Sequence, residues 1–385
     1  MKERITNPFI TGGYVSPDYF CDRQNETGSL LKAINSRRNV TLISLRRMGK
    51  TGLLKHIKYI LDHTQEGNAS DKKKAVIYVD LMPTMNSNDL LNSISTALLH
   101  LKNGESGFMK KLLSLLSALR PKISFDTLTG QPAMELKVET PGDIKTGLDN
   151  IISLIGDLQQ AIVFIFDEFQ QITRYPEKNI EQMLRSVIQS HPSIPFIFSG
   201  SSSHMLEQMF SSASRPFYQS AELMYLDKIT EYEYLQFITK KLKTGGMETD
   251  NTVLSEIFRW TRLHTFYVQY VCNLLFETNC KVIDFDAINQ VFYKILISQE
   301  PLFSNYRNII PAQQFKLLQA IAIEDGVTQP TSGSFINGHK LTSASSVTTS
   351  LKSLSEKEMI VKNGNQWIVY DVFFSRWLEY QYKRK

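Results

Sequence analysis

The chain has 385 residues, 42% of them hydrophobic and 21% charged, enough for two or three packed domains and too apolar for a disordered chain. Its formal net charge of +5 is modest for this length and, without a localised patch, too weak a signal to announce nucleic-acid binding. No run reaches the ~20 apolar residues of a membrane span, and MKERITNPF lacks the apolar stretch of a signal peptide, so a cytoplasmic protein without membrane attachment is expected.

From Val40 to Leu226, short apolar runs alternate with amphipathic segments. VTLIS, AVIYVDL, AIVFIF, PFIFS and AELMYL each have the length of a buried strand, and the alternation predicts an α/β fold with a parallel sheet covered by helices in three layers. Between about residues 100 and 143 the pattern is interrupted: FMKKLLSLLSAL reads as a helix and KISFDTLTGQPAMELKV as two strands around a Thr-Gly turn, together an insertion. After Asp227 helical patterns take over in EYEYLQFITKKL, VLSEIFRWT, HTFYVQYVCNLLFE and FDAINQVFYKILISQ. Beyond Pro311 two helices, QQFKLLQAIAIE and SASSVTTSLKSLSEKE, flank a Gly- and Ser-rich break and lead into MIVKNGNQWIVY, two short strands around Asn-Gly-Asn. That order predicts a winged helix. The expected division is a core over residues 1–227, a helical lid over 228–310 and a winged helix over 311–385. Cys21, Cys272 and Cys280 are odd in number and lack metal-ligand spacing, so they read as reduced thiols.

Two segments carry chemistry. Ser44 to Thr51, SLRRMGKT, departs from the phosphate-loop pattern G-x-x-x-x-G-K-[ST] only at its first position. The buried run VTLIS precedes it and LLKHIKYIL follows, giving strand, loop and helix in the order that such a loop requires. Backbone N–H groups from Arg46, Arg47, Met48, Gly49, Lys50, Thr51 and Gly52, with the helix N-terminus behind them, would cradle the phosphates of ATP or ADP. Lys50 would neutralise β- and γ-phosphate charge, and the Thr51 hydroxyl would ligate Mg2+. Ser44 replaces a glycine that eases the turn, and Gly52 replaces a hydroxyl residue; some strain is expected at the first. The second segment is AIVFIFDE. Its apolar strand delivers Asp167 and Glu168 to the C-terminal edge of the sheet, where open α/β sheets bind ligands. Asp167 would hold the metal through water, and Glu168 would orient and deprotonate the attacking water.

NPF at residues 7–9, YFCDR at 19–23, RRMGKT, FDEFQ and FIFSGSSS together resemble the AAA+-related STAND and archaeal-type P-loop ATPases. The resemblance implies an ATP-binding core, a helical lid and a winged helix, with ATP bound between core and lid. It implies that Phe20 and Arg23 line the base pocket, although a plain N-capping turn accounts for Asp22 and Arg23 as well. Ser199 or Ser201 would end the sensor strand, contacting the γ-phosphate or the lytic water. Arg215 would sense the γ-phosphate, either within the chain or from a neighbour in a homo-oligomer. His264, in TRLHTFYVQ, would contact the β-phosphate or simply cap its helix.

The C-terminal module draws its excess of positive charge from Lys383, Arg384 and Lys385 alone. The candidate recognition helix around Ser343 to Leu354 offers Lys352 among Ser and Thr and has no arginine for base readout. DNA is therefore an open alternative that the residues do not indicate, and a protein partner is the other. VYDVFFSRWLEY reads either as a surface docking on the core or as the module's own interior. The function expected is a Mg2+-dependent ATPase working as a nucleotide-dependent switch; the alternatives are a nucleotide-binding switch with little turnover and an ATP-regulated DNA-binding protein.

Overall fold

The computed structural model describes residues 7–63, 74–101, 106–125, 130–138, 140–156 and 161–384. The chain forms two compact units, one of residues 12–228 and one that joins residues 7–11 to residues 229–384. The N-terminal NPF segment thus belongs with the helical part, although the sequence assigns it to the core. The reason is local: Asn7 donates through Nδ2 to the Asn273 carbonyl at 2.9 Å, and buried Phe9 sets its ring edge-on to Phe237 and Phe276.

In the first unit, α1 (Gln24–Asn35), β1 (Val40–Ile43), α2 (Lys50–His63), β2 (Lys74–Asp80) and α3 (Ser87–Leu101) lead into an excursion. It consists of α4 (Ser106–Leu115) and a hairpin of β3 (Lys122–Phe125) and β4 (Pro132–Glu135). Then come α5 (Pro141–Gly156), β5 (Ala161–Asp167), α6 (Ile180–Gln189), β6 (Phe196–Gly200), α7 (Ser203–Ser211) and β7 (Glu222–Tyr225). The five apolar runs become a parallel sheet in the order β2-β5-β6-β1-β7. The excursion falls within residues 100–143, the stretch where the sequence pattern is interrupted. Residues 126–129 of its turn lie outside the described residues, and β4 seats on α3 through bonds from the Met134 and Leu136 amides to Thr96 and Asn92.

Alternation along the strands divides the core in two. Ile77, Val79, Phe164, Phe166, Phe196 and Phe198 face α3, α4, α5, α6 and α7, and the four phenylalanines stack across β5 and β6. Val40, Leu42, Val76, Val163, Ile165 and Ile197 face α1 and α2, whose Leu30, Ala33, Ile34, Leu53, Leu54, Ile57 and Leu61 recur at helical spacing. Strands buried on both faces are what a sheet sandwiched between helices requires.

The second unit holds α8 (Glu231–Thr244), a two-residue parallel pair β8 (Glu248–Thr249) and β9 (Val282–Ile283), α9 (Asn251–Thr261), α10 (Thr265–Glu277) and α11 (Phe285–Ile309). It continues with α12 (Ala312–Ile323), α13 (Gly333–Gly338), α14 (Ala344–Glu356), the hairpin β10 (Ile360–Asn363) and β11 (Gln366–Val369), and α15 (Val372–Lys383). Short polar side chains start these helices: Thr230 and Glu233 form a capping box, and Asp250, Asp284, Ser332, Ser343 and Asp371 each accept an amide of the first turn. The Gly- and Ser-rich break contains α13, which the sequence pattern hides because it is only six residues long.

The aromatic run of α15 is interior. Phe373 meets Trp260, Tyr267 and Tyr270, while Phe374 meets Phe303 and Tyr306. Polar bonds reinforce this seam: Arg262 reaches Asp325, the Val369 carbonyl and Ser375, and Arg376 takes the Arg259 and Trp260 carbonyls that end α9. No described helix is long and apolar enough to cross a membrane. The three cysteines are unbridged, and full burial pushes the Cys272 thiol up.

Candidate nucleotide site

Register brings the chemistry to one edge of the sheet. Leu42 and Ile43 of β1 lie beside Ser199 and Gly200 of β6, and Asp167 of β5 lies beside Asp80 of β2. The loop that leaves β1 passes Arg47 at φ 63° and Gly49 at φ 93° before α2 begins at Lys50. Ser44 has no left-handed backbone, so the turn needs no glycine there and the expected strain is absent. It has a different use. Its hydroxyl donates to the Leu45 carbonyl at 2.9 Å and accepts from Lys50 Nζ at 3.0 Å. Lys50 Nζ also donates to the Ser44 and Leu45 carbonyls, each at 3.0 Å. Only 6% exposed, the Lys50 amine is pushed down to about 8 by burial, against the opposing pull of Glu168 and Asp167.

Asp167 is the hub. Its Oδ2 accepts from the Thr51 hydroxyl at 2.9 Å and the Tyr78 hydroxyl at 2.6 Å, and its Oδ1 accepts from Ser199 Oγ and from the Glu168 amide. Burial and then the Asp167 charge push the Tyr78 phenol up, which keeps it a neutral donor. Glu168, at φ 55°, turns its carboxylate to the end of β6, where Ser201 donates from its hydroxyl at 2.7 Å and its amide at 3.2 Å and Gln170 donates from Nε2 at 2.5 Å. Ser199 and Ser201 therefore both reach the acidic pair: one holds Asp167 and the other Glu168. Tyr78, Asp80 and Gln170 join the site without having been singled out in the sequence. Asp80 could have been found, because AVIYVDL ends in a carboxylate as AIVFIFDE does. Partial desolvation and then the charges of Asp167 and Glu168 push its carboxyl up.

Arg23 is 3% exposed and sits at the N-cap position of α1 at φ 68° with no side-chain cap, so the capping account does not describe it. Its guanidinium donates to the Met48 carbonyl of the loop at 3.1 Å, the Asp227 carbonyl at 2.6 Å and Glu26 at 2.7 Å. Phe20 stacks on His56 of α2 with centroids 4.4 Å apart, and Tyr14 closes the group from the edge. A Cβ at Gly52 would touch the Phe20 ring at an ordinary 3.5 Å, so nothing demands glycine there. Arg46 and Arg47 are exposed, and buried Met48 anchors the loop. Arg215 pairs with Glu181 of α6 at 2.7 Å rather than with the acidic pair. His264 belongs to the second unit, where it occupies the N-cap position of α10, buried and edge-on to Tyr267.

A family model described as the KAP family P-loop domain matches residues 48–235, a span that opens in the loop and includes both carboxylates and both serines. The chain has a P-loop NTPase core. A second model, a probable winged helix domain, matches residues 301–380. Among solved structures, the P-loop chain is similar to a Walker-type ATPase of Pyrococcus abyssi at 15% identity and a TM-score of 0.64, covering 96% of this chain and 99% of that one. It is also similar to the ORC2 protein of Aeropyrum pernix, solved as ADPNP-ADP complexes, at 12% identity and a TM-score of 0.55, covering 98% of each. At these identities the likeness concerns the fold, and it agrees with the archaeal-type P-loop ATPases that the sequence resembles. No curated protein matches the chain.

Proposed function

We propose that this chain binds ATP with Mg2+ at the Lys50 loop, hydrolyses it to ADP and phosphate, and works as a nucleotide-dependent switch of the AAA+-related STAND kind. The observation that carries the reading is the convergence of Thr51, Asp167, Glu168, Ser199 and Ser201 on one hydrogen-bonded cluster behind the loop. A binding loop alone would hold nucleotide; the second carboxylate, held apart from Asp167 on its own donors, supports turnover.

The residues fit Mg2+. Thr51 Oγ1 and Asp167 Oδ2 meet at 2.9 Å among further oxygen groups, the Tyr78 and Ser199 hydroxyls. That suits an ion that keeps its waters and takes one or two protein oxygens together with substrate phosphates. When bound, Mg2+ would supply charge neutralisation to the phosphate oxygens. The chain's own groups do the rest: loop amides and Lys50 hold the phosphates, Asp167 keeps Thr51 oriented, and Glu168 accepts a proton from the attacking water. In this reading Phe20, backed by His56, and Arg23 line the base pocket, and Arg215 reaches a phosphate only by giving up Glu181. The recognition-helix face of α14 exposes Ser345, Thr348, Thr349 and Lys352, which gives DNA binding little support.

The test is ATP hydrolysis by the full chain with Mg2+, beside Lys50→Ala and Glu168→Gln, with nucleotide binding measured on the same samples. Turnover lost in both variants, with ATP retained by Glu168→Gln, is the expected outcome. Tight Lys50-dependent binding without turnover would replace the hydrolase with a passive nucleotide switch, and absence of both would end the reading.

A further inference from the structure

We propose that Gln170 is a positioning residue that aims Glu168, and that Gly200 exists to make room for it. The proposal rests on the ATPase reading and adds to it a residue that the phosphate-loop and acidic motifs do not contain.

A carboxylate offers about four acceptor positions on its two oxygens. Three donors converge on Oε2 of Glu168: the Ser201 amide, the Ser201 hydroxyl and Gln170 Nε2. Oε1 takes no hydrogen bond from a described residue. Three donors on one oxygen fix the rotation of the carboxylate and leave the other oxygen to accept from water. Ser201 approaches from the end of β6, and Gln170 approaches from the 3-10 helix Phe169–Arg174 that follows Glu168, so the carboxylate is gripped from two elements.

Gln170 keeps this place at a cost. It is 6% exposed, and its Oε1 is buried without a hydrogen-bond partner. An apolar side chain of similar length would avoid that orphaned acceptor, so a glutamine that served only to fill space would be a poor choice. Its amide also lies where a side chain of residue 200 would go: a Cβ on Gly200 would stand 1.8 Å from Gln170 Oε1 and 2.9 Å from its Cδ. Gly200 has no left-handed backbone, so glycine is needed there for space and not for conformation.

Two substitutions reach the same contact from opposite sides. Gln170→Met removes the amide donor and the orphaned acceptor while keeping the length; Gly200→Ala keeps the glutamine and displaces its amide. Steady-state ATP hydrolysis with Mg2+, ATP binding and thermal melting would be measured for both, alone and with Glu168→Gln. The expected result is a kcat lowered roughly ten- to hundred-fold with KM and ATP affinity unchanged, because a misdirected base slows the reaction and leaves binding alone. Gln170→Met melts no lower than the unsubstituted protein, and neither substitution slows Glu168→Gln further. Turnover within twofold of the unsubstituted protein in both variants would overturn the positioning role while leaving the ATPase reading intact. So would a loss that adds in full to Glu168→Gln or simply follows a lowered melting temperature. Absence of turnover in the unsubstituted protein would overturn both.

Discussion

The buried state of Lys50 makes nucleotide affinity depend on pH in a calculable way. Its amine is pushed down to about 8 from an ordinary 10.5 because burial strips its water, while the acceptors within reach are the Ser44 and Leu45 carbonyls and the Ser44 hydroxyl. Glu168 and Asp167 pull the other way, and Arg46 adds to the lowering. Phosphates arriving at the loop favour the charged amine, so binding restores the ordinary value or exceeds it. The sign follows. Below the free-state value both forms are protonated and affinity is flat; above it the free amine has lost its proton and must regain it on binding, so affinity falls by up to tenfold per pH unit. From about pH 7 to about pH 9.5 the dissociation constant should rise roughly 30-fold, with close to one proton taken up per ATP at the upper end. ATP itself is fully ionised over most of this range and adds little slope. Titration calorimetry in buffers of different ionisation enthalpy reads both affinity and proton uptake. Lys50→Met should bind weakly at every pH and with no slope, and Lys50→Arg should bind without slope because its guanidinium does not titrate here. An affinity in the unsubstituted protein that stays level across this range, with no proton uptake, would refute the argument and with it the electrostatic role given to burial.

Arg23→Ala should lower stability by about 2–4 kcal/mol, since it leaves the buried Met48 carbonyl without its guanidinium donor and removes the donor to Asp227; chemical denaturation measures it, and ATP affinity should fall in parallel as the loop loosens. In the second unit, Gly245→Ala puts a Cβ 2.4 Å from Phe276 Cε2, against a ring that already packs edge-on to Phe9. Overpacking there should cost about 1–3 kcal/mol, read from the melting curve, with nucleotide binding unchanged.

The core of the fold was legible because its signals are local and repetitive. Five apolar runs became five strands, and loop and carboxylates were placed by what precedes and follows them. What the sequence did not show depends on neighbours far along the chain. Tyr78 is one position in a strand until Asp167 lies beside it, and Gln170 is one residue of FDEFQ until Gly200 opens a space for its amide. The aromatic run of α15 left two readings open because burial of Phe373 and Phe374 depends on Tyr267 and Phe303, more than sixty residues earlier by their numbers. Residues 7–11 group with the second unit for the same reason: the Phe9 ring packs on Phe237 and Phe276, far along the chain.

Backbone conformation separates the site from the rest of the chain. Most non-glycine residues with left-handed backbone follow a helix, as Arg37, Arg120, Arg262, Asn279, Asp325, Lys340 and Glu358 do, where that conformation is an ordinary way to stop. Asp22, Arg23, Arg47 and Glu168 instead come before one: α1 for the first two, α2, and the short 3-10 helix after β5. A helix start gains nothing from left-handed backbone, and a side chain there costs on the order of 1 kcal/mol. Something else must offset it, and for two of the four, Arg23 and Glu168, the compensation is visible in the bonds. Arg23 gathers two carbonyls and a carboxylate, and Glu168 gathers three donors on one oxygen. Glycine would relax the backbone at either position and lose the side chain that the conformation aims. Ser44 completes the logic from the other direction: where the loop does not ask for left-handed backbone, the glycine of the phosphate-loop pattern is dispensable, and a hydroxyl that holds Lys50 takes its place.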